Sequence, residues 1–464
     1  VTAQVTTSEH VLGRARWAAR AYQRYPATEV ARIVSAVAAA AQTNARRLAE
    51  SAVAESGRGV VTDRTRTHTA CANAAHEFHD GPDLLSPRMN PARALVEIPR
   101  PAGVVLSLLP AHSAFAHGCV AALFALMTRN AIVIRCPAGE PSCAEGVRLL
   151  ATSAVAAGAP DGVIQCLTEQ PPPPATDLLT HGRVDLVVAT PVPTAEAAPA
   201  AGGVPVLVDA AVDPSAVAAQ LMDSVSFDNA LVGGTESVLV VTDGVAEPVT
   251  AELSRRGAAV LDAAAAGQLR RYLFADGTPA PDAAGRDAAW IAHRAGIRVD
   301  PATRVLVAPF DLAVPEEPFV RGSRAPVLGI VRVPDVMRGV AAARSVVRAR
   351  GAGLAAAVHS TDPAVIARFC TEVPVARVVV NAACTTAGRD GDAGLVDAVA
   401  AGMTIAGRQS PGLRPEDLLS WTTVTSTGTR PGVIAQLATM ESRVAEHGPV
   451  PPYPVASNAR EGGR

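Results

Sequence analysis

The apolar positions near the start of the chain repeat with helical spacing. Val30, Ile33, Val34 and Val37 follow i, i+3, i+4, i+7, which places them on one face of a helix. The pattern predicts helices over 7–24, 27–56 and 62–79. Pro26 and Thr28 mark the start of the second, and Gly57 suits its end, because glycine adopts the left-handed conformation without steric cost. Pro87, Pro91 and Pro99 then break the stretch 81–101, within which Ala92–Ile98 alternates as an extended strand.

From Gly103 the rhythm changes. Short apolar runs at 104–109, 131–134, 163–166, 184–188 and 205–208 alternate with helical segments, among them 114–128 and 142–157. Apolar runs of this length separated by helices imply a parallel sheet covered on both faces, hence a doubly wound α/β unit. A second such unit is expected after Asn229, with strands at 238–241, 306–308, 327–333, 353–359 and 377–381. Its helices are expected near 248–256, 261–275, 282–295, 334–350 and 362–371. The alternating run from Trp421 to Ser426 reads as a strand and 430–446 as a helix. The Pro- and Gly-rich tail from Gly448 reads as an extended arm or a disordered end. The expected divisions are 1–225, 226–409 and 410–464.

Composition narrows the chemistry. All 41 basic residues are Arg, which excludes a lysine nucleophile or Schiff base. The formal charge of −2, without a basic run, argues against a nucleic-acid or anionic-membrane partner. Seven cysteines, Cys71, Cys119, Cys136, Cys143, Cys166, Cys370 and Cys384, include no Cys-x-x-Cys pair, so neither a zinc site nor a redox motif is signalled. No run of 18 apolar residues offers a membrane span, and the first twenty residues lack the apolar core of a signal peptide. A reduced, cytoplasmic protein is expected.

Several stretches together resemble the CoA-acylating aldehyde dehydrogenases. They are Glu55-Ser56-Gly57-Arg58-Gly59, Pro101 to Val105, Leu109-Pro110, Thr128-Arg129-Asn130-Ala131-Ile132, the run from Ala154 to Gln165, the run from Val184 to Thr190, Phe227-Asp228-Asn229, Pro326-Val327-Leu328 and Val379-Val380-Asn381. The resemblance implies a dinucleotide-binding, Rossmann-like domain in 1–225, with 81–101 contributing to an oligomerisation arm. It implies a catalytic-type α/β domain in 226–409, and in 410–464 a strand, a helix and a tail that pair subunits. It also implies NAD(P) and CoA as ligands. In the family's reaction a cysteine attacks an aldehyde, hydride passes to nicotinamide, and the thioester is transferred to CoA.

Four parts depart from the family pattern. The run Phe227-Asp228-Asn229-Ala230-Leu231-Val232-Gly233-Gly234-Thr235-Glu236 matches Phe-Asp-Asn-Gly-x-x-Cys-x-x-Glu, so Gly233 occupies the place of the nucleophilic cysteine. Thr235 lies nearby, but a hydroxyl needs an adjacent base to attack. In the loop Pro110-Ala111-His112-Ser113-Ala114, Ser113 occupies the place of the oxyanion-binding Asn; losing one such donor typically costs about 3 kcal/mol. His112 is either a substitute donor or a solvent-facing loop residue. In Arg321-Gly322-Ser323-Arg324, Gly322 replaces the family's Glu, and Glu316 and Glu317 upstream read as surface charges. After Ala189-Thr190 the family's glycine loop is replaced by Pro191-Val192-Pro193-Thr194, which removes backbone N–H donors, and the later glycine turn is shortened to the run 200–206.

Thr190 and Arg135 remain as cofactor-side candidates, Arg135 as a phosphate partner or as a surface residue. Cys384, three residues after Asn381, is the alternative nucleophile, with Arg389 or His359 to lower its pKa; otherwise it is a small packing residue. Cys119 and Cys136 are expected in the core.

These readings converge on an aldehyde-dehydrogenase-like chain that keeps its fold but has lost its catalytic groups. It would act by binding, as a homo-oligomer or a hetero-oligomer with an active relative. The rival reading is an active oxidoreductase or acyl-transfer enzyme on aldehydes or acyl-CoA that uses a displaced residue such as Cys384. A third is a ligand sensor that retains only a small-molecule pocket.

Overall fold

The structure, a computed structural model, describes residues 7–79, 81, 83–90, 95–111, 113–167, 182–190, 203–349, 353–385, 393–405 and 412–425. His112, Arg389, the run Pro191–Thr194, the expected helix over 430–446 and the tail lie outside the described residues.

The chain opens with α1 (Thr7–Tyr22), α2 (Ala27–Ser56), α3 (Val61–Ala72) and α4 (Ala74–Phe78). The expected helix over 62–79 is thus two helices, broken at Asn73. Gly57 ends α2 as expected, at φ 61°, with its N–H donated to the Val53 carbonyl. Then come β1 (Arg88–Asn90), β2 (Leu95–Pro101), β3 (Val104–Leu108), α5 (Ala114–Met127), β4 (Ala131–Arg135), α6 (Pro141–Ala156), β5 (Ile164–Leu167) and β6 (Leu186–Ala189). Next are β7 (Pro205–Val208), α7 (Pro214–Ser226), β8 (Val238–Thr242), α8 (Asp243–Arg255), β9 (Ala258–Val260), α9 (Ala263–Leu273), α10 (Ala288–Arg294) and β10 (Val305–Pro309). The described chain closes with β11 (Val327–Val333), α11 (Val336–Arg348), β12 (Gly353–His359), α12 (Pro363–Glu372), β13 (Val375–Val380), α13 (Ala393–Ala401), β14 (Thr404–Ile405) and β15 (Leu419–Thr425).

The described residues form three sheets. A five-stranded sheet runs β14-β6-β3-β4-β5, parallel except for β14. A seven-stranded, all-parallel sheet runs β13-β12-β7-β8-β11-β10-β9. A small antiparallel sheet joins β1, β2 and β15. Alternation within β8 accounts for the two faces of the large sheet. Val238 and Val240 enter one apolar core, and Leu239 and Val241 enter the other.

Sheet pairing corrects the expected boundary at 225. β7 and α7 belong to the large sheet and its core, so the two α/β units part between β6 and β7. The short β14 returns to the first sheet, and α13 packs into its core through Leu395, Val396, Ala398 and Val399. Two further expectations shift. α8 begins at Asp243, not at Pro248, because a proline near the helix start removes a single i→i−4 bond while Val245, Ala246, Val249 and Leu253 still bury one face. β9 was not foreseen: it has three residues at a sheet edge, too few for a periodic signal.

The Thr128-Arg129-Asn130 motif is structural. The Asn130 carboxamide accepts the Gly103 N–H at 2.7 Å and donates to the Leu418 carbonyl at 2.9 Å, tying the start of β3 to the start of β15. Arg129 forms a bidentate pair with Asp83 at 2.8 and 2.7 Å and donates to the Tyr25 carbonyl. No helix among the described residues is long and apolar enough to cross a membrane.

Burial sets a pH dependence. Desolvation lowers His68, His117 and His359 to about 4, from an ordinary 6.5. The unfolded chain therefore binds more protons than the folded one between these values. The imidazole contribution to stability is complete above pH 6.5 and is lost as the pH falls towards 4. Asp228, raised to about 6 chiefly by desolvation, and Glu236, raised by the same cause, act in the opposite sense. The imidazole part is isolated by difference: the stability of the wild type minus that of His359→Gln in urea titrations is expected to fall as the pH drops from 6.5 towards 4, and a difference that stays constant would contradict it.

Candidate functional site

The segment at the nucleophile position is held by a dry ionic contact. Asp228, Asn229 and Ala230 take φ of 45°, 52° and 60°, three consecutive left-handed residues of which none is glycine. Such a residue costs on the order of 1–2 kcal/mol, so the turn depends on its partners. The Asp228 carboxylate accepts the Val60 N–H at 2.7 Å and pairs with Arg64 at 3.2 Å, with both side chains 2% exposed or less. The Asp228 N–H donates to Asp63 at 2.9 Å, and the Asn229 carboxamide donates to the Gly285 carbonyl at 3.0 Å. Phe227 and Val232 anchor the two ends of the segment in the core of the first unit.

Gly233 follows on this frame. A Cβ built there would meet the Ala398 carbonyl at 3.6 Å and the Leu354 side chain at 3.9 Å, which is ordinary contact, and its φ lies outside the left-handed region. The position could therefore carry a Cβ without displacing anything. Gly322 is different. Its φ of 67° with ψ of 153° falls in a region that is essentially glycine-only. The loop carrying the family's Glu position has a backbone that a Glu could not adopt without strain. The neighbouring Arg321 is turned onto the Gly277 and Pro315 carbonyls.

Glu317 is not the surface charge expected from sequence. It caps a short 3-10 turn by accepting the Phe319 N–H, and it forms a bidentate pair with Arg270 at 3.0 Å for each contact. Ser113 is buried and left-handed, at φ 60°, as the residue preceding α5, and its carbonyl meets Nδ1 of His117 at 2.9 Å. Thr235 donates its hydroxyl to the Val232 carbonyl at 2.8 Å.

Cys384 is fully buried rather than poised in a pocket mouth. Its backbone N–H donates to the Glu236 carboxylate at 2.6 Å. Burial, with that carboxylate beside it, pushes the thiol well above its ordinary range, and the Arg377 cation offsets only part of this. His359, expected as an activator, is a neutral buried imidazole whose Nε2 meets no partner among the described residues. Of the two readings of Cys384, displaced nucleophile or small packing residue, its burial and raised thiol support the second.

Glu236, the last residue of the Cys-x-x-Glu frame, was passed over in the sequence. It is 1% exposed and accepts from the Ser224 hydroxyl, which in turn accepts from Thr385 at 2.7 Å. The network ties the loop after β13 to the end of α7. The available signal was an acid placed two residues before the apolar run 238–241. Arg64 was missed for want of any local signal, since its partner lies 164 residues away.

On the cofactor side, Arg135 ends β4 and Thr190 directly follows β6, and these strands lie on either side of β3 in the first sheet. Both leave a buried polar atom, Arg135 Nε and Thr190 Oγ1, without a partner among the described residues. These atoms could meet a polar group. The residues after Thr190 nonetheless begin with Pro191 and include Pro193, which cannot donate to a pyrophosphate. The donor set does not fit a dinucleotide held by a glycine loop.

Two outcomes are expected. Asp228→Ala leaves Arg64 buried and unpaired and should destabilise the chain by about 3–5 kcal/mol in urea titrations. Under native conditions iodoacetamide should label the exposed Cys370 first and Cys384 only on unfolding; mass mapping of the labelled peptides checks the order.

Comparison with known proteins agrees with this geometry. The sequence model of the aldehyde dehydrogenase family matches residues 2–194. The acylating sulfoacetaldehyde dehydrogenase of Cupriavidus necator is 31% identical over 402 residues, covering 83% of this chain and 81% of that protein. Aldehyde-alcohol dehydrogenase 2 of Entamoeba histolytica is 26% identical over 403 residues, covering 81% of this chain and 46% of that protein, so the chain spans about half the length of this relative. The crystal structure of an acetylating aldehyde dehydrogenase from Geobacillus thermoglucosidasius superposes with a TM-score of 0.81 at 26% identity, covering 91% of this chain and 96% of that one. With the two parallel sheets, the antiparallel strands and the Phe-Asp-Asn turn all in place, the chain belongs to the aldehyde dehydrogenase family and is of the CoA-acylating type in its likeness.

Proposed function

We propose that this chain keeps the frame of a CoA-acylating aldehyde dehydrogenase without its covalent acyl-transfer step. In this reading it acts by binding and by assembly, with itself or with an active relative. The observation that carries the reading is Gly233. The turn that presents the nucleophile position is fully braced, the space beside it admits a Cβ, and glycine offers no thiolate to form a thiohemiacetal. Cys384 does not take over, since it is buried and its thiol is raised. The glycine-only backbone at Gly322 and the prolines after Thr190 support the same reading. Assembly would use the three-stranded sheet, where the exposed Trp421 and Arg88, on the two strands that flank β2, stack at 4.7 Å.

The test is direct. Purified protein mixed with short aldehydes, CoA and either NAD or NADP is expected to give no reduced nicotinamide above the protein-free rate. Turnover would overturn the proposal. Two glycine variants separate retained space from a rebuilt backbone. Gly233→Cys is expected to keep stability within about 1 kcal/mol, because its φ and surroundings accept a Cβ. Gly322→Glu is expected to lose about 1–3 kcal/mol through backbone strain. Denaturant titration of both reads the difference, and size-exclusion chromatography with light scattering reads the assembly.

A further inference from the structure

Three cysteine sulfurs lie against one another at the carboxyl edge of the first sheet. Cys136 directly follows β4, Cys143 stands in the first turn of α6, and Cys166 is the third residue of β5. Cys136 Sγ is the common neighbour, 3.1 Å from Cys143 Sγ and 3.5 Å from Cys166 Sγ. None of the three takes part in the site around Gly233. The first turn of α6 is fixed from below: the Glu55 carboxylate accepts the Ser142 N–H at 3.0 Å and the Ser142 hydroxyl at 2.7 Å. The described residues hold no group arranged to ligate a metal ion, so the cluster is read through thiol chemistry.

The accessibility of the three sulfurs is graded. Cys166 is half-buried, Cys136 is 8% exposed and Cys143 is 1% exposed. A disulfide requires about 2.05 Å between sulfurs, so Cys136 and Cys143 are roughly 1 Å short of bonding distance. Side-chain rotation can supply a shift of that size.

We propose that Cys166, Cys136 and Cys143 form a thiol relay that accepts oxidising equivalents from a small-molecule disulfide and stores them as a buried Cys136–Cys143 disulfide. With oxidised glutathione as the oxidant, the Cys166 thiolate attacks one glutathione sulfur, forms a mixed disulfide and releases one glutathione thiolate. Cys136 then attacks the Cys166 sulfur and releases the second glutathione thiolate. Cys143 attacks Cys136, and Cys166 leaves as a thiolate and is reprotonated. The balance is two protein thiols oxidised and one glutathione disulfide reduced to two thiols, which take up the protons lost by Cys136 and Cys143. The shorter, more deeply buried pair is the end point because reductants reach it least.

The relay works slowly. Its contact with Cys143 pushes the Cys136 thiol up, with burial and Glu140 adding to this and the Cys166 contact offsetting it. Its contact with Cys136 likewise pushes the Cys166 thiol up, with burial adding and Arg148 offsetting. The resulting bond joins the end of β4 to the first turn of α6, at the sheet edge where doubly wound folds take ligands.

The chain lends itself to a clean test. Trypsin cuts after Arg135 and Arg148, so Cys136 and Cys143 fall in the single peptide 136–148, while Cys166 falls in the next. The protein is incubated with oxidised glutathione until the exposed Cys370 is fully converted, quenched with acid, then denatured, alkylated in the denatured state and digested. Peptide 136–148 is expected lighter by two hydrogens with neither cysteine alkylated, and Cys166 is expected alkylated. Cys136→Ser should stop at a Cys166–glutathione adduct, and Cys143→Ser at a Cys136–Cys166 disulfide. A wild-type peptide 136–148 that still carries two alkyl groups would overturn the relay, as would a bond that forms at the same rate in Cys166→Ser.

Discussion

The structure turns on a carboxylate kept out of water. Asp228 lies between α3 and the end of α7, and its pairing with Arg64 and the Val60 N–H holds three left-handed residues in a row. Burying these charges is costly, and desolvation raises the Asp228 carboxyl to about 6 even with the cation beside it. The arrangement is therefore poor evidence for stability for its own sake. Its effect is positional: it fixes the angle at which the chain leaves α7 and presents residue 233. The chain thus keeps this costly brace around a glycine.

The two α/β units are locked by elements that cross between them. α13 comes late in the chain yet packs into the first core, and its Ala398 carbonyl faces Gly233. Leu354 of the large sheet faces the same point. Glu236 and Ser224 then tie the loop after β13 to the end of α7. The site is thus assembled from distant segments of the chain, the 233 region and the α3 region being joined by the Asp228–Asp63 contact across 165 residues. Each contact is ordinary, and only their convergence defines the position.

Much of the fold was legible. The 3.6-residue spacing of Val30, Ile33, Val34 and Val37 located α2, and Gly57 marked its end, because burial of one face and left-handed backbone are local demands. The short apolar runs located the parallel strands for the same reason. Locality also explains the failures. Periodicity cannot assign a strand to one sheet or the other, so β7 was placed with the wrong unit. A three-residue edge strand such as β9 and the two-residue β14 carry too few positions for any period.

The sequence by itself determined the fold class, the family likeness and the absence of a thiol at residue 233, since each is a matter of which residue stands in which local frame. It gave the same letter at 233 and 322, and only the tertiary structure separated them: one glycine has room and an ordinary φ, the other a backbone that L-residues avoid. It left Cys384 between reactive and inert, and burial decided for inert. It offered no Cys-x-x-Cys, yet the parallel pairing of β4 with β5 brought Cys136 and Cys166 together across 30 residues. Reactivity depends on solvent and on neighbours, and those are fixed by packing among parts of the chain that do not know of one another in sequence.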